Sequence, residues 1–381
     1  MSEVREKDKD GWKVRGGEKL VDPIEICDVG SLPPPGDEER LERGRREYLK
    51  GKKGPEAEYF EKIILSSFLD KLECGLTLPN YPQFSDMITS FLESMKGVRR
   101  KGEGYLLEEE PSVKQGEEIL PEIRVLLEHS DRMEERGGVK MKVCVTGPYT
   151  LASLFPGWDE SLFTLLSKPL SKLVSNNLPK TKGLRVELLS LDEPIFGVDD
   201  PRLDKGAEGR EVLLKAWEEI LGAARRKGVK TLLHLHNTSD GLFWELENLN
   251  AVESHVGDPL YSSPETLRLL EKRDKVLKVS IAKTDFDGLL IQKVGTGERV
   301  GEIWKRIKEG KERAEEYLEG VEEMKLRLEK VLERFGKERI AYAGPECGLR
   351  GFPTYESALE CLRRTGKAVR EVSSHPSHHF F

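Results

Sequence analysis

Short apolar or alternating runs recur along the chain, each ending in a cluster of Gly, Pro, Asp or Asn. They are IEICDVGS, MKVCVTGP, GLRVELLSLDEP, VKTLLHLHN, NAVESHVGDP, KVLKVSIAK and ERIAYAGPEC, and each reads as a β-strand. Between many of them lie charged segments with apolar residues at helical spacing: PEAEYFEKIILSSFLDKLE, GREVLLKAWEEILGAARRKG, SPETLRLLEKRDK and the stretch from Glu302 to Phe335. Strands that alternate with helices predict a parallel sheet. GLTLPNY and EIRVLLEHSD are two further strand candidates and bring the total to eight or nine. That number favours an α/β fold of the (β/α)8 TIM-barrel type over an open doubly wound sheet. Segments 96–118 and 197–208 read as surface insertions in one domain spanning 21–372, between a charged N-terminal extension (1–20) and a tail (373–381) rich in His.

Composition narrows the function classes. At 381 residues the chain exceeds the roughly 250 typical of a barrel, which insertions readily allow. Charged residues make up 34%, and Lys+Arg 62 against Asp+Glu 69 gives a net charge of −7 with the signs interleaved along helices. This pattern points to no nucleic-acid partner and no membrane surface. The opening MSEVREKDKDGWKVRGGEK has no apolar signal core, and no run reaches the length of about 18 apolar residues needed for a span. Five cysteines are too few and too odd for a disulfide framework, so the expected compartment is the reducing cytoplasm.

In parallel α/β architectures the functional groups sit where strands end. The polar clusters fall there: Ser31, Thr146-Gly147-Pro148, Asp192-Glu193-Pro194, His234-Leu235-His236-Asn237, Glu253 and Cys347. His234 and His236 are two apart, so both face one side of a strand and can reach one metal, although an HxH pair also fits a packed core. Cys347, in a Gly-flanked turn, adds a thiolate, and Glu253 is the expected fourth ligand, with His255 on the same face as the alternative. Such an N/S/O set suits zinc, which deprotonates a bound thiol and so predicts alkyl transfer to sulfur. Asp192 and Glu193 are adjacent and face opposite ways, which argues against a glycosidase pair. One of them is expected to anchor a cationic group of the substrate and the other to be held in the barrel wall.

In this order the motifs resemble the catalytic C-terminal barrel of the cobalamin-independent methionine synthases, in the superfamily that includes uroporphyrinogen decarboxylase and the corrinoid-linked coenzyme M methyltransferases. Asp28-Val29-Gly30-Ser31-Leu32-Pro33 is similar to the family's IGSFP segment, Val145-Thr146-Gly147-Pro148 to its TGP strand, and Leu191-Asp192-Glu193-Pro194 to its IDEPA strand. His234-Leu235-His236 falls on the metal-binding HxC, Glu253 on the later Glu ligand, and Gly344-Pro345-Glu346-Cys347-Gly348-Leu349-Arg350 on NPDCGLK. The resemblance implies a short, archaeal-type enzyme of methionine biosynthesis. Zinc would be held by His234, His236, Glu253 and Cys347, with Ser31 and Asp192 as the catalytic residues that bind and orient homocysteine.

This sequence departs from the family at two places. His236 stands where a Cys is usual, so the set is HHEC. Leu78-Pro79-Asn80-Tyr81-Pro82-Gln83 replaces the acidic segment that grips homocysteine, which leaves neutral Gln83 beside Glu193 among the expected substrate contacts. The implied partners are a small thiol acceptor and a methyl donor, either a folate-like pterin or a methylated corrinoid protein. With no DxHxxG segment, any corrinoid would arrive on a partner. The alternatives are a thiol such as coenzyme M as acceptor, or a non-catalytic barrel that binds a pterin or corrinoid partner. An arginine-rich N-terminal signature of a decarboxylase is not evident.

Overall fold

The computed structural model describes residues 6–8, 11–13, 22–157, 159–197, 203, 208–295 and 297–374. Most of the expected N-terminal extension and tail lies outside these residues, as does most of segment 197–208. Within the extension, Glu6–Asp8 pairs antiparallel with Gly11–Lys13.

Seven strands form one parallel sheet: β1 (Glu25–Ile26), β2 (Val139–Thr146), β3 (Leu184–Glu193), β4 (Lys230–Leu235), β5 (Ala251–Glu253), β6 (Val276–Ala282) and β7 (Ile340–Pro345), in the order β1-β7-β6-β5-β4-β3-β2. The gap between β1 and β2 is bridged by segment 77–83, which contains part of the expected GLTLPNY strand. Thr77 and Leu78 donate backbone N–H bonds to Ile26, and Leu32 donates to Gln83, while on the other side Lys142 donates to Pro79. Single parallel bridges join Ser31 to Gln83 and Asn80 to Lys142. Pro79 and Pro82 lack the N–H that a continuous ladder requires, so the eighth strand position closes the barrel through isolated bonds.

The helices that follow the strands cover the outside: α1 (Glu38–Leu49), α2 (Pro55–Glu73), α3 (Met87–Glu93), α4 (Pro121–Glu128), α5 (Ser161–Asn176), α6 (Glu208–Arg226), α7 (Pro264–Arg273), α8 (Val321–Phe335) and α9 (Tyr355–Ser374). Two expectations need correction. EIRVLLEHSD is no strand, because Pro121 presets the first turn of α4 and Ile123 and Leu126 share its buried stripe at helical spacing. The stretch from Glu302 to Phe335 is broken after Lys308, where Gly310 takes φ +69°, and a new helix starts at Val321. Insertion 96–118 is largely a charged hairpin, Met95–Lys101 against Gly104–Val113. Among the described residues no helix is long and apolar enough to cross a membrane.

Inside the barrel, Cys27, Leu78, Leu188, Leu232, Ala251 and Tyr342 form an apolar floor. Strand alternation places the next inward residue two positions on. Above Leu188, Leu232 and Ala251 therefore stand Ser190, His234 and Glu253, all buried, and then Asp192, His236 and His255. The floor keeps water out from below, and the polar groups gather at the C-terminal mouth.

Candidate metal centre and mouth cavity

His234 lies on β4 and His236 two residues beyond it, His255 lies two residues beyond Glu253 at the end of β5, and Cys347 comes from the turn after β7. The ring centroids of His236 and His255 are 4.0 Å apart and those of His234 and His236 5.4 Å. Cys347 Sγ is 3.5 Å from His236 Nε2. One donor atom from each of His234, His236, His255 and Cys347 lies within 4.8 Å of the others. Tetrahedral zinc needs donors about 3.3–3.8 Å apart, so small side-chain rotations close the set around an ion.

The chemistry of these donors fits a metal. Both ring nitrogens of His234 and Nε2 of His255 are buried with no hydrogen-bond partner, a state that costs about 1–3 kcal/mol per group unless something binds there. Burial pushes His234 and His236 down to about 3, so both imidazoles are neutral and their lone pairs are available. Burial likewise pushes the Cys347 thiol up to about 11, and a bound cation would reverse that by deprotonating it.

Glu253, the expected fourth ligand, stands behind His234. It is fully buried and ion-paired with Lys278, which also donates to the Pro345 carbonyl at 2.7 Å. Its other oxygen lies 3.3 Å from His234 Nδ1. The sequence reading overlooked Lys278. The available signal was a lysine at an inward position of the otherwise apolar run KVLKVSIAK.

A cavity of about 300 Å³ opens over the cluster, lined among others by Ser31, Asp192, His234, His236, Cys347 and Arg350. Asp192 Oδ1 accepts from Ser190 Oγ at 2.6 Å, while Oδ2 is buried without a partner. Glu193 faces the other way and accepts from Tyr149 N, Thr150 N and Trp217 Nε1 at 3.0, 2.7 and 2.8 Å. Burial lifts its carboxyl to about 7 against the pull of those donors. Of the two acids, Asp192 is the one available to a substrate, and Glu193 is the one held in the wall.

Gln83 does not line the cavity either. Its amide donates to Tyr81 Oη and Cys144 Sγ, tying the broken second strand to β2. Ser31 is locked to the Cys347 turn: Leu349 N donates to the Ser31 carbonyl at 2.9 Å, and a Cβ on Gly348 would meet Ser31 Oγ at 1.9 Å. Arg350 fastens the same turn to the Phe84 carbonyl and to Glu38 of α1, a contact the sequence did not reveal. A larger cleft of about 690 Å³ lies between Gly257 and α8 and carries no donor of the cluster.

No family model matches the chain, and no curated protein matches it. Among solved structures it is similar to a B12-independent methionine synthase from Shewanella sp. W3-18-1, in complex with selenomethionine. The identity is 17% over 92% of this chain and 98% of that one, with a TM-score of 0.58. A Bacteroidetes-affiliated family 5 cellulase (11% identity, 82% and 87% covered, TM-score 0.40) and a psychrophilic family 10 endo-β-1,4-xylanase (13%, 65% and 80%, TM-score 0.36) align less closely. At 17% identity the methionine synthase likeness speaks to the fold, a TIM-type barrel.

Proposed function

We propose that this protein is a metal-dependent methyltransferase that methylates a thiol, in the manner of a short, archaeal-type methionine synthase. The observation that carries the reading is the convergence of His234, His236 and Cys347 on one cavity with Asp192, whose Oδ2 has no partner. Zinc fits the donors, and the chemistry it supplies when bound is a lowered pKa for an acceptor thiol, so that a nucleophile exists near neutral pH.

The chain's own residues do the rest. Asp192 Oδ2 accepts from the ammonium group of the acceptor, and Ser31, fixed by the Cys347 turn, orients its other end. The apolar floor and the buried flank of the barrel exclude water from the sulfur. The sulfur then takes the methyl group from the donor as a methyl-cation equivalent. The donor keeps the bonding electron pair, and the thiol proton passes to solvent. All five cysteines are free thiols, which suits the cytoplasm.

Homocysteine, giving methionine, is the leading acceptor, because Asp192 offers an ammonium site. A small thiol without an amino group, such as coenzyme M, is favoured by a different observation: segment 78–83 carries no acid, and Asp86, the first acid after it, lines the cavity but commits Oδ1 to capping α3 through Ile88 N and Thr89 N. The donor is a folate-like pterin or a methylated corrinoid protein. The test is a zinc-loaded assay of both thiols against methylcobalamin and methyl-pterin donors. S-methyl product that disappears in Cys347→Ala supports the reading. No methylated thiol with any pair, from protein that binds the metal, overturns it in favour of a non-catalytic binder.

A further inference from the structure

We propose that the metal donors of this protein are His234, His236, His255 and Cys347, and that Glu253, the ligand the resemblance implies, instead orients His234 while Lys278 holds it. This rests on the metal-dependent reading above and goes beyond it by reassigning the fourth ligand.

The ion pair decides against Glu253. Both Glu253 and Lys278 are completely buried, and apart from the carboxylate Lys278 has the Pro345 carbonyl as its hydrogen-bond partner. Neither of the Glu253 oxygens belongs to the donor cluster, and carrying the carboxylate there would pull Oε1 off Lys278 and leave a buried ammonium without its counter-charge. The present position serves a different purpose. Glu253 Oε2 lies 3.3 Å from His234 Nδ1, and the small ring rotation that closes the donor set also brings these two unpartnered atoms into a hydrogen bond, which makes Nδ1 the proton carrier and leaves Nε2 a free lone pair. A carboxylate behind a ligating imidazole fixes the tautomer and ring plane in this way.

His255 supplies what Glu253 withholds. Its Nε2 is buried with no partner, its ring packs 4.0 Å from that of His236, and its donor atom falls within the 4.8 Å cluster from which Glu253 is missing. His255 is also absent from the cavity lining, whereas His234, His236 and Cys347 face it. It therefore completes the set from the rear, and the cavity side stays open to a further ligand, as a zinc shell that expands to five permits. Three neutral imidazoles and one thiolate leave a divalent ion with one net positive charge, where a carboxylate in place of one imidazole would leave none. That residual charge favours an anionic sulfur at the cavity side.

The test counts ligands by X-ray absorption at the zinc edge and measures zinc affinity by competition with a chelator, using the full chain stripped and reloaded with zinc. Wild type is expected to show three imidazoles and one sulfur. His255→Ala, a change at a partly exposed position, should drop to two imidazoles and lose roughly a hundredfold to a thousandfold in affinity, about a quarter of the binding free energy of a four-donor site. Glu253→Gln should keep the ligand count and lose only about 10–100-fold. If Glu253→Gln fails to fold around an unpaired Lys278, the double variant Glu253→Gln/Lys278→Met removes both charges and carries the same expectation. Unchanged affinity and ligand count in His255→Ala, or loss of an oxygen ligand in either Glu253 variant, overturns the assignment. These readouts need no turnover, so a protein with the three-imidazole, one-sulfur site but no methyl transfer defeats the proposed function and leaves this inference standing.

Discussion

Lys71 of α2 reaches into the barrel wall and donates to Asp28 Oδ2 at 2.7 Å, with 0% and 3% of the two side chains exposed. The same ammonium donates to the carbonyls of Gly30 and Asn80, and Asp28 Oδ1 accepts from Asn80 N. One buried pair thus fastens the end of β1 to the interrupted second strand, just before Ser31 enters the mouth. Lys71→Met leaves Asp28 buried and unpaired and should destabilise the protein by about 3–5 kcal/mol. Lys71→Met/Asp28→Asn, which removes both charges, should recover part of that loss. Urea denaturation of the three proteins checks this, and a Lys71→Met cost below about 1 kcal/mol contradicts it.

Glu193 should make stability depend on pH. Its carboxyl titrates at about 7 when folded, against an ordinary value of 4.5. Between those values the folded state holds a proton that the unfolded state has released. The contribution of Glu193 is therefore greatest below pH 4.5 and declines as pH rises to about 7, by about 3 kcal/mol at most. Glu193→Gln has no such proton, so wild-type stability minus variant stability should shrink from pH 5 to pH 8. A difference that stays constant across that range rules the shift out.

Asp192→Asn tests the ammonium contact. The variant keeps the side-chain shape and the acceptor for Ser190 but loses the charge aimed into the cavity. For an amino-bearing thiol kcat/KM should fall by about 100-fold, the equivalent of a charged hydrogen bond, and for a thiol without an amino group by less than about threefold. Equal losses for both acceptors would show that Asp192 acts other than by holding the ammonium group.

Gly348→Ala should uncouple orientation from folding. The new Cβ would stand 1.9 Å from Ser31 Oγ and push that side chain to another rotamer, a strain of about 1–3 kcal/mol in an otherwise intact turn. The expected signature is a KM raised about tenfold with zinc affinity unchanged. Steady-state kinetics beside a zinc titration separates the two, and loss of zinc would mean that the Cys347 turn itself has moved.

The fold was legible wherever local signals agreed. The 55–73 segment forms α2 over its whole length because a Pro at the first turn and an apolar period point the same way. The seven strong strand runs each contain a strand of the barrel. EIRVLLEHSD misled because a short apolar run fits either period and Pro121 decided for the helix. The second strand position was found as a candidate, but only its partners on both sides show that it closes the barrel.

The sequence by itself determined the register of the site. Alternation along each strand and clusters at strand ends brought Ser31, Asp192, His234, His236 and Cys347 to one mouth, since side-chain direction in a strand follows from residue parity alone. Tertiary structure decided what parity leaves open. It turned Glu193 into the wall against Trp217, stitched Gln83 to Cys144, paired Glu253 with Lys278 and brought His255 against His236. These outcomes depend on which side chain from a neighbouring strand or helix meets each buried polar group, and those partners lie 19 to 61 positions away in the chain, out of reach of any local pattern.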